Sequence, residues 1–221
     1  MEANDIIKAV GLTYAKMETY QDVGSIKISK GDRENPESIL NFKTYFIRPQ
    51  SFRFESTQAN GTNEARYILW SDGKKVARQS NGYTQQLSEN ALFRNPLKDM
   101  ERALSSLPVA KPIVSLLIEK LKGARLTELP DFKLIGEEIC SGTPCGRLQS
   151  CKGSECTDIW VSKANYTIIK LVEKSTVAGN EETIKVNSQP KFSKKVPLVY
   201  DYDFENIWVN EPIPAALFQI S

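Results

Sequence analysis

The sequence predicts an α+β protein: a curled antiparallel sheet with an N-terminal helix and a central helical insert. Two observations carry this. Apolar spacing along the 221 residues changes from helical to alternating, back to helical at 88–123, and to alternating again from about 131. Asn-Gly and Asp-Gly pairs, the chemistry of tight hairpins, separate the first alternating runs. No Pro/Gly/Ser-rich linker divides the halves and no period repeats, so one domain is expected over 1–221. An antiparallel sheet of that size must curl to bury one face.

The first helix is expected over 3–19, where Ile6, Ile7, Val10, Tyr14 and Met17 fall near one face. Asn4 is the expected N-cap and Asp5 suits the positive helix end. Strands are expected over about 22–87 as a meander of about six. Asp72-Gly73 and Asn81-Gly82 mark turns, and Asn60-Gly61 a looser connection. In the insert, Asn95 can cap a helix with Pro96 at its first position. Its stripe is Leu97, Met100, Leu104 and Leu107. A second helix near Pro112 carries Ile113, Leu116, Leu117 and Leu121, with Gly123 as its stop. Strands resume over about 131–220. Residues 174–195 read as a charged hairpin with an exposed tip, a candidate contact loop. Asp201 and Asp203 alternate with Tyr200, Tyr202 and Phe204, as a polar face against a buried one.

Composition bounds the chemistry. Lys+Arg number 29 against Asp+Glu 27, which gives no field for nucleic acid. No run is apolar enough to span a bilayer. The chain has no histidine, so the commonest general base and metal ligand is missing. No phosphate loop or G-x-S-x-G elbow is present. No enzyme activity, cofactor or metal is expected.

Cys140, Cys145, Cys151 and Cys156 are spaced C-x4-C-x5-C-x4-C. Zinc knuckles are usually C-x2-C, which disfavours a zinc site. "SGTP" and "KGSE" read as turns, which would bring Cys140 to Cys145 and Cys151 to Cys156 across hairpin mouths. A crossed pairing stays open. Disulfides imply an oxidising compartment. The opening "MEANDIIKAV" is not a leader, so a removed leader is expected, with a periplasmic or secreted destination.

The stretch "NFKTYFIRPQSFRFES" places Leu40, Phe42, Thr44, Phe46 and Arg48 on one strand face. A two-residue loop would pair Arg48 with Ser51 and send Phe52 and Phe54 to the Tyr45–Ile47 side. A three-residue loop would pair Arg48 with Phe52 and Phe46 with Phe54, building one aromatic wall. The more apolar even face favours the second; the absence of glycine counts against it.

In order along the chain, "ETYQDVGSIKI", "TYFIRPQSFRFES", "ILWSDGKKV", "IGEEICSGTPCGRL", "DIWVSKANYTIIKL" and "YDYDFENIWVNEPIPAALFQI" resemble the bacterial periplasmic lipoprotein-carrier superfamily of LolA/LolB-like proteins. The match looks closest to its branch of predicted periplasmic proteins with a cysteine in the second half. The resemblance implies a half-open β-barrel whose helices cover an apolar cavity. It implies an odd-length loop after Arg48, and an Arg48 that hydrogen-bonds backbone of the covering helices. The candidate ligand-binding residues are Phe42, Phe46, Arg48, Phe52, Phe54, Leu116 and Leu117. The implied ligand is an acyl chain, lipid or lipoprotein, handed over at a membrane surface by a monomer. Snorkelling of Arg48 into solvent is the plainer alternative. A scaffold protein that fills the cavity with its own side chains is the alternative function.

Overall fold

A computed structural model describes residues 2–31, 35–60, 63–87, 96–105, 107–118, 121, 126–178 and 195–219. Helix α1 spans Ala3–Lys16. Six strands follow: β1 Thr19–Lys30, β2 Ser38–Ile47, β3 Ser51–Asn60, β4 Asn63–Asp72, β5 Val76–Ser80 and β6 Tyr83–Gln86. The insert holds α2, Pro96–Ser105, and α3, Lys111–Leu117. The chain closes with β7 Lys133–Cys140, β8 Thr143–Lys152, β9 Glu155–Ser162, β10 Ile168–Ala178 and β11 Lys195–Val209.

All eleven strands form one sheet in the order β6-β5-β4-β3-β2-β1-β11-β10-β9-β8-β7. Each half is a meander, and β11 returns to pair with β1. The outer strands β6 and β7 are not paired with each other, so the sheet curls without closing into a barrel. The faces of α1, α2 and α3 join the inward residues of the sheet in one core, which includes Ile7, Val10, Met100, Leu117, Phe46, Leu69, Leu148 and Tyr202. The helices therefore cover one side of the sheet.

The other side is partly polar. Lys170 bridges Asp201 and Asp203, and Lys27 reaches Asp203, so this aspartate pair is neutralised by lysines. Trp160 lies here between the Arg147 guanidinium and the Lys170 ammonium. Trp70 packs with Ile68 and Ala77 on the outer face, where Arg53 stacks on it and donates to the Leu217 carbonyl. The C-terminal segment covers that patch.

Several expectations need correction. Asn4 lies inside α1, whose N-cap is Glu2. The Asp5 carboxylate accepts the Glu2 backbone N–H, a bond Asn4 is not placed to make. The helix ends at Lys16 and β1 begins at Thr19, because Tyr20 and the residues after it bury alternately. Strands β3 and β4 pair as far as Asn60 and Asn63, and Gly61 lies outside the described residues. Asn81 and Gly82 do form a left-handed turn, with φ of 48° and 85°. Asn95, Gly123 and most of the 174–195 segment lie outside the described residues.

The cysteines split. Cys151 and Cys156 face each other and form a disulfide, with Cα atoms 4.1 Å apart. Cys140 and Cys145 are both free thiols, against expectation. Their spacing is the same, but the turn sits one residue earlier, on Ser141 and Gly142 at φ of 48° and 77°. Cys140 then pairs Thr143, and Cys145 pairs Glu138. Pro144 explains the offset. A turn centred between these cysteines would need an N–H from residue 144, and proline has none. Diagonal neighbours on a sheet are too far apart to bridge.

Candidate functional site

The inward faces of β1 to β4 build the wall. Ile47 pairs Ser51 across a three-residue loop, Arg48-Pro49-Gln50. The odd length keeps parity, so Phe52 and Phe54 join Phe42 and Phe46 on the inner face. The register differs from the expected one. Phe46 pairs Phe52, Thr44 pairs Phe54, and Arg48 belongs to the loop itself. All four phenylalanines are buried. Phe42 stacks on Phe54 with centroids 6.0 Å apart and meets Phe204 edge-on at 5.6 Å. Gly24 makes room for this. A Cβ there would collide with the Phe42 ring and the Asp203 carbonyl, and the β1–β11 register shifts between Val23 and Gly24.

Arg48 does not snorkel. Its Nε donates to the Met17 carbonyl and its Nη2 to the Tyr14 carbonyl, each at 2.9 Å. The Arg48 backbone N–H donates to the Glu18 carbonyl at 2.9 Å. The cation thus sits at the C-terminal end of α1, where free carbonyls and the helix dipole favour it. The guanidinium also lies 5.5 Å from the Phe46 ring centroid. Its partners belong to the N-terminal helix and the residue after it. Leu116 and Leu117, from α3, belong to the same buried core as the four phenylalanines, and Arg48 lies at its rim beside Phe46. Two clefts flank the helices. One, about 60 Å³, is lined by residues that include Ile6, Leu134, Gly146 and Tyr166. The other, about 170 Å³, lies between Arg78, Leu87, Asp99 and Arg102. Neither is lined by the four phenylalanines.

One polar group inside the wall escaped the sequence reading. Asp22 is buried on the inner face of β1. The Tyr20 hydroxyl donates to its Oδ2 at 2.7 Å. Tyr14 packs against Tyr20, ring to ring at 5.8 Å, and the Tyr14 hydroxyl accepts the Ile168 N–H. Burial pushes the Asp22 carboxyl up to about 7, with Thr44 and Tyr20 pulling the other way. The signal was available: Asp22 shares strand parity with Ile26 and Ile28. Among the described residues no cluster of three or more His, Cys, Asp or Glu could hold a metal. No described helix is long and apolar enough to cross a membrane.

No family model matches the chain, and no curated protein does. Solved structures show similarity of chain path. One is a DUF1329 family protein from Desulfovibrio piger, at 14% identity and TM-score 0.38, covering 98% of this chain and 95% of that one. A second is a LolA superfamily protein from Nitrosomonas europaea, at 12% identity and TM-score 0.34, covering 100% and 98%. A third is the Pseudomonas aeruginosa MucA/MucB complex, at 12% identity and TM-score 0.46, where 99% of this chain spans 61% of its match.

Proposed function

We propose that this protein is a non-enzymatic carrier of an acyl chain or similar lipid-like ligand, working in the bacterial periplasm. One observation carries the proposal: an aromatic inner wall of an open sheet is roofed by short helices, and a loop arginine holds the end of one of them. A roof of separate helices can move as a unit, whereas a second sheet would have to break its ladder. Insertion of a ligand would displace α1 and α3 and cover the wall with acyl chain. Each buried methylene returns about 0.8 kcal/mol, while two charged hydrogen bonds lost from Arg48 cost about 1.5–3 kcal/mol each. The exchange is thus within reach of a ligand of ordinary length.

The scaffold alternative also has an observation behind it. The four rings are already buried against neighbouring side chains, and the edge strand β7 leaves Ile135 and Ile139 exposed, as a protein-binding edge would. Native mass spectrometry after detergent-free purification from a bacterial periplasm separates the two. The carrier reading expects a co-purified lipid, displaced on adding fatty-acyl amphiphile. A bare mass, and no binding of any such amphiphile, would favour the scaffold.

A further inference from the structure

The inner face changes character toward the β6 edge of the sheet. Phe54 pairs Leu69, Leu69 pairs Arg78, and Arg78 pairs Gln85 across β3 to β6. Directly paired residues share a face, so the apolar row that starts in the wall ends in a guanidinium. At about 5 Å per strand, Arg78 stands roughly 10 Å from Phe54 along that row. The charge is held in place: Arg78 Nε and Nη2 donate to Gln85 Oε1 at 3.0 and 2.8 Å. Those bonds orient the rest of the planar fork.

The cleft of about 170 Å³ lies here, between Arg78 and the α2 residues Asp99, Arg102 and Ala103, with Leu87 beside them. A single water needs only about 10–15 Å³ of such space, so a small head group fits. Arg102 Nη1 is 3.9 Å from Asp99 Oδ1, with the arginine side chain 81% exposed and the aspartate 13%. A pair that loose can admit a ligand at little cost. Ala103 belongs to the core that contains the four phenylalanines, and Leu87 packs against it. The cleft therefore joins a charged mouth to an apolar inner side.

The charges narrow the ligand. Two guanidiniums suit a phosphate, by sign and by fork geometry. The Asp99 carboxylate in the same cleft opposes a purely anionic group and suits an ammonium. A phosphodiester that carries an amine complements all three side chains.

We propose that Arg78, Arg102 and Asp99 form the head-group subsite for an amphiphile with a zwitterionic phosphoethanolamine head, its tail following the Leu69–Phe54 row into the wall. This subsite rests on the carrier reading above. It keeps the head at the edge of the sheet and puts only the tail beneath the roof.

The test is calorimetric titration below the critical micelle concentration, with three amphiphiles of one tail: 1-myristoyl lysophosphatidylethanolamine, 1-myristoyl lysophosphatidylglycerol and 1-monomyristoylglycerol. Wild type is expected to bind the ethanolamine lipid about tenfold more tightly than monomyristoylglycerol, and more tightly than the phosphatidylglycerol lipid. Arg78→Gln should weaken both phospholipids about tenfold, and Arg102→Gln about fivefold, each leaving monomyristoylglycerol unchanged. Asp99→Asn should abolish the preference between the two phospholipids. The Arg102 side chain is largely exposed, so Arg102→Gln decides the matter if Arg78→Gln does not fold. Equal wild-type affinity for all three, or a loss in Arg102→Gln shared by monomyristoylglycerol, would overturn the subsite and leave the carrier reading standing. A wild-type preference for the phosphatidylglycerol lipid would overturn the zwitterionic head. Binding of none of the three would overturn both subsite and carrier.

Discussion

The Arg48 guanidinium donates to the Tyr14 carbonyl at 2.9 Å, so the β2–β3 loop holds the last turn of α1 against the sheet. Tyr14 in turn faces the interior through its ring. One side chain therefore connects the loop, the roof and the wall.

Removing that connection should loosen α1 selectively. Arg48→Ala is expected to lose about 3 kcal/mol or more of stability and to speed hydrogen exchange over residues 3–17 far more than in β8 to β10. Arg48→Lys should recover only part, since an ammonium cannot serve both carbonyls with a planar fork. Exchange read by mass spectrometry checks both. Equal loss of protection across the sheet would mean that Arg48 supports the whole fold rather than the roof.

Gly24 should tolerate no side chain. Its added Cβ would meet the Asp203 backbone and the Phe42 ring, and backbone cannot step aside as a flexible side-chain end can. Gly24→Ala is expected to cost roughly 3 kcal/mol or more. Gly11→Ala is the control. The nearest atom to its Cβ is Thr127 Cγ2 at 3.8 Å, and alanine favours the helix by about 0.5–1 kcal/mol. Chemical denaturation of the two variants should shift in opposite directions.

Asp22 makes stability depend on pH in a definite sense. Its folded-state pKa is raised to about 7 from 3.8, so between those values the folded chain holds the proton more tightly. The penalty is absent below about pH 4, grows as pH rises to about 7, and is constant above. Its full size is on the order of 4 kcal/mol. The neighbouring titratable groups Tyr14 and Tyr20 are themselves raised by burial and stay neutral throughout. The melting temperature of wild type relative to Asp22→Asn should therefore fall from pH 4 to 7. A flat difference would place the carboxyl in contact with water.

The thiols give a check on register. Alkylation of the oxidised native protein should spare Cys151 and Cys156. It should label half-buried Cys140 slowly, because burial raises its thiol pKa. Fully buried Cys145 should react only after unfolding. A Cys140–Cys145 bridge in the peptide map would show that the Ser141-Gly142 turn is misplaced.

Much of this was legible in the sequence because it depends on local period. The alternation fixed which residues of β1 to β4 share a face, and Asn81-Gly82 marked its own turn. For the β2–β3 loop, the apolar even face favoured an odd length and the missing glycine opposed it; the family resemblance implied an odd loop after Arg48, and the structure places it after Ile47. The exact pairing was not legible, because loops of the same parity satisfy the same pattern while moving Arg48 by one position pair. The cysteine hairpins show the same limit: identical spacing, with one missing N–H at Pro144 deciding the outcome. Asp22 was passed over because its significance depends on what lies above it, and the packing of α1 over β1 has no local signature.

The central claim is that the covered wall receives an acyl chain, and photocrosslinking tests it most directly. The full chain would be incubated with a diazirine-bearing monoacylglycerol, irradiated and mapped by peptide mass spectrometry. The account predicts adducts in the peptides that carry Phe42, Phe46, Phe52 and Phe54, reduced by competing unlabelled ester. Adducts confined to exposed positions such as Ile139 or Tyr83, or none at all, would contradict it.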